Sequence, residues 1–257
     1  MSETEAGQEA GGPHIEIGVH THWQAGPLTL HGDTMISLWI SMGIIIFLAA
    51  LVRAGLAKDP KAKPSGIQAF AEQIILGLKT IPEGRIGPKW RIFFPVVATL
   101  FIFVVVSNWL GVVPLTPFAH VFLGGFIHHI PELGPPTADL NTTVALALVV
   151  FLSTHFFGFK TRGFKYFKHF IEPYPFFLPL NLLEELSRPL SLSVRLFGNM
   201  FGKEVILTIL TALVSIPLFY TVPLLALALL IGFIQAFIFS LLATFYISGA
   251  IEGHGGH

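Results

Sequence analysis

Six charged side chains lie in one otherwise apolar stretch, residues 179 to 207, and these residues have the types and spacing that could do chemistry. They are Glu184, Glu185, Arg188, Arg195, Lys203 and Glu204. Long apolar runs flank the stretch, so its charges are expected at membrane depth, where each costs about 2.5 to 3.5 kcal/mol even on the lowest insertion scales. Charges kept at that cost usually mark an ion path or a buried ion pair.

Helical periodicity predicts how these side chains are arranged. At 3.6 residues per turn, Arg195 shares a face with Asn199 and Arg188. Glu184 lies eleven residues before Arg195 and returns to within about 20° of the same face. Glu204 lies about 13.5 Å further along the axis and about half a turn round. Polar character therefore continues along the helix but changes side, which suits two aqueous routes that do not meet.

Arg195 is the residue best suited to separate two such routes. Its guanidinium is protonated at any relevant pH, so it cannot relay a proton but can attract a carboxylate or repel a cation. Alternatively, Arg195 is a structural bridge that pairs with Glu184 or with another helix. For Lys203 and Glu204 the alternatives are mutual neutralisation near an interface, or a lysine that extends to the membrane surface.

Composition indicates the class of protein. Of the 257 residues, 53% are hydrophobic and only 12% are charged, and the mean hydropathy is +0.73, which is typical of a polytopic membrane protein. The chain has no cysteine, which excludes disulfides, thiolate nucleophiles and Cys-type metal sites. Fifteen basic and fifteen acidic residues balance, so no nucleic-acid partner is expected. We predict one integral domain, residues 31–252, with an external tail, 1–30, and a cytoplasmic tail, 253–257.

The fold predicted from the apolar runs is all-α, with five membrane-crossing helices and one interfacial amphipathic helix. Apolar residues recur at helical spacing from Ile67 to Leu78, opposite polar ones, which favours a helix on the membrane surface. A helix of roughly 40 residues would span about 60 Å, so the last two helices should be strongly tilted, or broken at Pro179 or Pro189. The crossings are expected at 34–52, 92–113, 141–159, 174–214, and from 218 or 223 to 248.

Lysine and arginine are segregated along the chain. Twelve of the fifteen lie in residues 53–91 and 160–168, and the 114–140 loop has none. The basic stretches are therefore expected in the cytoplasm, with the N-terminus outside. The Pro- and Gly-rich 114–140 loop is not expected to be a further helix.

Histidines outside the charged stretch have simpler interpretations. His14, His20, His22 and His31 could bind metal or sense pH, but solvated side chains on an exposed arm are the favoured interpretation, and no metal site is predicted. His155, inside the third crossing, is interpreted as a hydrogen-bonded core histidine in preference to a proton relay.

Four segments carry a resemblance to a known family. They are RPLSLSVRLFGNMFGKE from Arg188, GFIQAFIFSLLATFYISGAIEG from Gly232, NWLGVVP from Asn108 and PTADLNTTVALAL from Pro136. In their order along the chain, these segments resemble subunit a of the F-type ATP synthase, most closely its cyanobacterial and chloroplast-type branch. The resemblance covers most of residues 30 to 252.

The resemblance implies a proton-translocating stator that cups a ring of c subunits with its last two helices. Arg195 would separate the two half-channels, and Glu204, Asn199 and Gln235 match polar positions of the proton path. Asp139 would lie at the outer mouth. Either Glu184 or Glu185 would line the cytoplasmic side, with Glu184 preferred because it shares the face of Arg195.

The same resemblance implies the setting of the protein. Its partners would be the c-ring, b-type subunits of the peripheral stalk and membrane lipid, with no cofactor and no catalysis of its own. Its location would be the bacterial plasma membrane or, alternatively, the thylakoid membrane. The sequence departs from some members at Ala228, where they carry a proton-path histidine, and at Lys203, where a small or acidic residue is common.

Two alternatives stay open at the level of the sequence. The chain could be a stand-alone secondary ion transporter or an intramembrane enzyme, although no internal repeat, HExxH, GxSxG or P-loop motif occurs. The coupling ion could be H⁺ or Na⁺, because the ion-binding carboxylate would lie on the partner ring.

The segregation of basic residues predicts the topology in a testable way. Single cysteines introduced into this cysteine-free chain can be labelled in intact cells with a membrane-impermeant maleimide. A cysteine in residues 114–140 should react from outside, and one in residues 160–168 should react only after permeabilisation, because positive loops stay in the cytoplasm. External labelling of the 160–168 site would reverse the orientation.

Overall fold

The computed structural model describes residues 22–25, 28–55, 66–112, 134–166, 174–213 and 217–252. These residues form six α-helices, which confirms the helical class. Two short strands, β1 (His22–Ala25) and β2 (Leu28–His31), pair antiparallel ahead of the first helix and were not expected. The helices are α1 (Gly32–Ala54), α2 (Gly66–Ile86), α3 (Phe94–Leu110), α4 (Leu140–Arg162), α5 (Leu178–Leu213) and α6 (Pro217–Glu252).

Three helices of the described chain, α1, α4 and α6, are each long and apolar enough to cross a membrane. The count rises to four if α2 and α3 together make one bent span. The helix α5 is not among these three. The expected count of five crossings therefore stays a prediction, and so does the tilt of the last two helices.

The amphipathic helix α2 turns sharply into α3. A 3₁₀ segment, Gly87–Ile92, joins them, and the two parts are bent by 109°. Gly87 begins the turn at φ 56°, a left-handed conformation that favours glycine. Such a bend is what the surface-helix prediction requires of the connection into a membrane span.

The helix α5 is continuous over 36 residues, which corresponds to about 54 Å. Pro179 is its second residue, where the missing backbone N–H leaves no intrahelical bond unmade. Pro189 lies inside the helix without ending it. The alternative of a helix broken at either proline is therefore wrong. The helix α6 starts at Pro217, one residue before the earlier of the two expected starts, and continues through Pro223.

A hydrogen-bond network fixes α3 to α6 at one end of the bundle. The buried Asn108 side chain donates to the Gly232 carbonyl at 2.9 Å and accepts from the Thr137 hydroxyl at 2.6 Å. Trp109 donates its indole N–H to the Leu229 carbonyl at 3.1 Å. The NWLG element therefore serves packing, because both functional ends of its asparagine amide are used.

The apolar core lies between α3, α4, α5 and α6. Its buried members include Val104 of α3, Val150 of α4, Leu196 of α5 and Phe239 of α6. At the other end of the bundle, Arg85 of α2 stands 3.8 Å from the Glu252 carboxylate and 4.9 Å from the centre of the Phe245 ring. The surface helix is therefore attached to α6 by charge as well as by apolar contact.

Several sequence predictions fall outside the described residues. They concern His14 and His20, residues 114–133 of the 114–140 loop and the C-terminal tail from residue 253. His22 and His31 face each other as a Cα pair across the hairpin. The predictions for these regions stay predictions.

Gly232 is predicted to be required for the close approach of α3 and α6. A Cβ there would lie 3.1 Å from the Asn108 Cβ and 3.5 Å from Trp109 Cδ1, whereas one at Gly249 of the same helix would meet nothing within 4 Å. Gly232→Val should therefore destabilise the subunit by about 1–3 kcal/mol through overpacking, and Gly249→Val should not. Thermal unfolding of the purified complex measures the difference, and equal midpoints for the two variants would contradict it.

Candidate functional site

Arg188, near the start of α5, holds two neighbouring carboxylates. Its two terminal nitrogens lie 2.8 Å from Glu184 Oε1 and 3.0 Å from Glu185 Oε2. The two acids differ in environment, since the Glu184 side chain is 65% exposed and the Glu185 side chain only 8%. Adjacent residues on a helix point about 100° apart, so one acid faces outward and the other faces the bundle.

The buried acid meets a histidine on the neighbouring helix. His155 Nε2 of α4 lies 3.9 Å from Glu185 Oε1, while His155 Nδ1 lies 3.0 Å from the Phe151 carbonyl. From α6, the Tyr246 ring lies 5.8 Å from the Arg188 guanidinium carbon. Three helices therefore meet at one charged cluster.

Tyr166, just beyond the end of α4, covers the same cluster. Its ring lies 5.8 Å from the His155 ring, and it packs so closely on α4 that a Cβ at Gly158 would come within 2.5 Å of it. Burial and then the negative charge of Glu185 raise the pKa of Tyr166 to about 12. Its phenol is therefore neutral at physiological pH and contributes no charge.

Arg195 lies at the surface of the chain. Its side chain is exposed, and its contact is the Ser191 hydroxyl, 3.5 Å from Nη2. Within the described part of the chain, no carboxylate lies within 4 Å of its guanidinium. Pairing of Arg195 with Glu184 is wrong, because Glu184 binds Arg188 instead.

Around Arg195 the two long helices are joined by polar contacts. One turn further along α5, Asn199 donates to Gln235 Oε1 of α6 at 2.5 Å. On the opposite side, Ser193 lies 3.2 Å from the Thr143 hydroxyl of α4. The structure therefore joins Asn199, one helical turn beyond Arg195, to Gln235 of α6.

The surface beside Arg195 is open. A Cβ at Gly198 or Gly202 would meet nothing within 4 Å in the described part of the chain, so no described helix packs closely on these glycines. The small residues of α6 behave differently, since Ala228, Ala236 and Ala243 are buried against the bundle. The face with Arg195 and the two glycines therefore remains accessible to another protein.

Lys203 and Glu204 form a mostly buried pair further along α5. Lys203 Nζ lies 3.4 Å from Glu204 Oε1, and the side chains are 5% and 29% exposed. The interpretation of a lysine that extends to the surface is therefore wrong, and mutual neutralisation is correct. The continuous helix keeps Glu204 about half a turn round from Arg195.

Asp139 has a structural position at the N-terminus of α4. Its carboxylate accepts from the Asn141 backbone N–H at 2.8 Å and from the Thr34 hydroxyl of α1 at 3.1 Å. It therefore caps α4 and ties it to α1. Among the described residues, no group of three or more metal-ligating side chains occurs.

Sequence periodicity did not identify His155, Tyr166 and Tyr246 as neighbours of the charged stretch. All three are brought there from other parts of the chain, so no pattern within residues 179–207 points to them. The one available signal was an isolated histidine within an apolar span.

Long apolar helices packed around a charge-bearing helix define a polytopic membrane protein. The sequence matches the family described as ATP synthase A chain over residues 35–248. It is also 42% identical over 246 residues, 95% of this chain and 93% of the other, to "ATP synthase subunit a" of Gloeobacter violaceus. The chain belongs to the ATP synthase A chain family.

Family membership decides between the function classes that the sequence left open. The chain is a proton-channel subunit of an F-type ATP synthase complex, not a stand-alone carrier. Its apolar helices and cyanobacterial-type sequence make it an integral protein of the plasma or thylakoid membrane.

The buried Lys203–Glu204 pair leads to a prediction about stability. Removal of one charge should destabilise the subunit, and removal of both charges should largely restore its stability. Glu204→Gln leaves the buried ammonium without its counter-ion, which should destabilise the subunit by about 3 kcal/mol. Lys203→Met combined with Glu204→Gln removes both charges and should recover most of that loss. Thermal unfolding of the assembled complex distinguishes the variants. A double variant no more stable than Glu204→Gln would show that the pair is not the cause.

Proposed function

We propose that Arg195 separates two half-channels that this subunit forms against a ring of c subunits. The observation that carries the proposal is the exposed guanidinium of Arg195, which has a hydroxyl contact at 3.5 Å and no carboxylate within 4 Å in the described chain. An arginine at membrane depth requires a counter-charge. A carboxylate on a passing c subunit would supply it.

The surface around Arg195 supports this partner. The glycines Gly198 and Gly202 leave open space on the same helix, so another helix can approach closely there. The Asn199–Gln235 hydrogen bond joins α5 to α6 and holds the two helices beside the arginine. A rigid support of this kind keeps the guanidinium at a fixed height while the ring turns.

The chemistry of the separation follows from the permanent charge. A carboxylate that enters a low-dielectric interface tends to take up a proton, because desolvation disfavours its charged form. The Arg195 guanidinium reverses that preference locally and keeps the carboxylate ionised as it passes. The same charge opposes a proton that moves directly from one half-channel to the other.

Acidic groups on each side of Arg195 would line the two routes. On the outer side these are Glu204, with Asp139 at the mouth, and on the cytoplasmic side Glu185 and Glu184. Asn199 and Gln235 would line the path close to the arginine. The c-ring and b-type peripheral-stalk subunits are the proposed protein partners, and H⁺ is the proposed coupling ion.

Substitution of Arg195 tests the proposal. Arg195→Ala should abolish coupled ATP synthesis and raise passive proton leak, because the carboxylate loses its counter-charge and the barrier disappears. Arg195→Lys should also be severely impaired, since lysine lacks the planar fork and can lose its proton when buried. Arg53→Ala, at the exposed end of α1, is the control for loss of one arginine.

The measurement is ATP synthesis and proton flux in vesicles that contain complexes of verified subunit composition. Near-normal coupled synthesis by Arg195→Ala would overturn the proposal. Loss of synthesis together with loss of assembly would instead assign Arg195 a structural role.

A further inference from the structure

The cluster around Glu185 contains a titratable group from a second helix. His155 Nε2 of α4 lies 3.9 Å from Glu185 Oε1, although the two residues come from different crossings of the predicted bundle. The His155 side chain is 28% exposed and that of Glu185 is 8% exposed. His155 is therefore partly accessible, whereas Glu185 is buried. The pair lies near the end of α4 that carries Lys160 and Arg162.

The hydrogen bonding of His155 determines which ring nitrogen can exchange a proton. Nδ1 lies 3.0 Å from the Phe151 carbonyl, and a carbonyl oxygen only accepts, so Nδ1 carries a hydrogen. Nε2, which faces Glu185, is then the nitrogen that gains and loses a proton. Imidazole is the side chain whose charge ordinarily changes near neutral pH, which suits reversible exchange.

Among the described residues, the charged and titratable groups around the pair have other contacts. Arg188 holds Glu185 Oε2 at 3.0 Å and stays protonated, so it orients the carboxylate and leaves Oε1 toward His155. Tyr166 is neutral, and Tyr246 faces Arg188 from α6. The remaining nearby charge, Arg162, acts on Tyr166.

A small pocket continues from Glu185 toward the level of Arg195. It offers about 10 Å³ for the centre of a water molecule, roughly the room that one water needs. Its lining includes Glu185, Arg188, Thr154 and Leu192, and Leu192 is three residues from Arg195. Arg188 itself lies about 20° from the face of Arg195 on the helix.

We propose that His155 and Glu185 form the proton-exchanging pair at the cytoplasmic mouth of the half-channel. This proposal rests on the proposed function and deepens it. A proton that arrives from the c-ring side binds Glu185 Oε1, leaves it for His155 Nε2, and then passes from the imidazolium to cytoplasmic water. The 3.9 Å separation exceeds a direct hydrogen bond, so one bridging water or a small ring rotation completes the transfer.

The role of Glu184 differs from that of Glu185 in this proposal. Glu184 is the more exposed acid and contacts Arg188 by an i,i+4 pair on the outer face. It balances the charge of Arg188, whereas Glu185 faces α4. The sequence-based preference for Glu184 rested on its shared face with Arg195, and that preference does not take account of the neighbouring helix.

Two substitutions of His155 test the pair in the intact ATP synthase. In His155→Asn the amide nitrogen can still donate to the Phe151 carbonyl, and in His155→Gln the amide reaches toward Glu185, but neither side chain titrates. Complexes in vesicles are energised by a potassium diffusion potential, and ATP synthesis is measured while the pH on the side of the basic stretches is varied. Uncoupled ATP hydrolysis at each pH corrects for the catalytic head.

We expect each variant to lower the rate of ATP synthesis by about tenfold, which is less than a general acid–base group usually contributes to a rate. The corrected rate should also lose the pH dependence that the unmodified complex shows, because neither variant side chain can exchange a proton. Glu185→Gln should give the same loss, and the double variant should be no slower than either single one, because the two residues act as a unit. Thr161→Val, on the exposed side of α4, should match the unmodified complex.

The outcomes separate this proposal from the one on which it rests. An unchanged rate and pH profile in either assembled histidine variant would overturn the His155 relay. Additive losses in the double variant would also overturn it, since independent defects are not a relay. Arg195→Ala in the same vesicles reports on the half-channel separation itself, so failure of the relay alone leaves that proposal intact.

Discussion

A charge removed from water must be held by an opposite charge or by polar groups, and this constraint organises α5 and the helices around it. Arg188 satisfies the constraint with two carboxylates, and Lys203 satisfies it with Glu204. Arg195 does not satisfy it within the described chain. The helix therefore combines two clusters of paired charges with one arginine that has no carboxylate within 4 Å in the described chain.

Buried polar side chains are paired differently at the two ends of the bundle. At the end that includes Asn108, Thr137 and Asp139, hydrogen bonds join α3, α4 and α6 and tie α1 to α4. At the other end, ion pairs predominate, with Arg85 on Glu252 and Arg188 on its two acids. Hydrogen bonds to fixed carbonyls specify helix register, whereas long charged side chains tolerate adjustment, so the first end is the better anchor.

Helical periodicity predicted the arrangement along α5 because that helix is continuous. The shared region of Arg195 and Asn199 and the displacement of Glu204 follow from 3.6 residues per turn alone. The pattern favoured Glu184 over Glu185 because Glu184 shares the face of Arg195, but periodicity within α5 carries no information on which acid faces α4. His155 was also beyond reach, because its carboxylate partner lies 30 positions away in sequence and meets it only through packing.

Element boundaries were predicted well where apolar runs end at charges and less well elsewhere. The helix α1 extends from Gly32 to Ala54 around the expected crossing, and α4 begins beside the expected Asn141. The hairpin ahead of α1 gave no signal, because its strands are only four residues long. The count of five crossings stays a prediction, since three helices of the described chain, or four with the bent α2–α3 pair, are long and apolar enough to cross a membrane.

The charge balance of α5 has a consequence for how the helix enters the bilayer. The helix carries three acids, Glu184, Glu185 and Glu204, and three bases, Arg188, Arg195 and Lys203. The two internal clusters together hold three acids but only two of these bases, so they carry one excess negative charge. Arg195 supplies the compensating positive charge at a distance, and the whole segment is electroneutral. The desolvation cost of each charged side chain remains, but the segment as a whole brings no net charge into the bilayer.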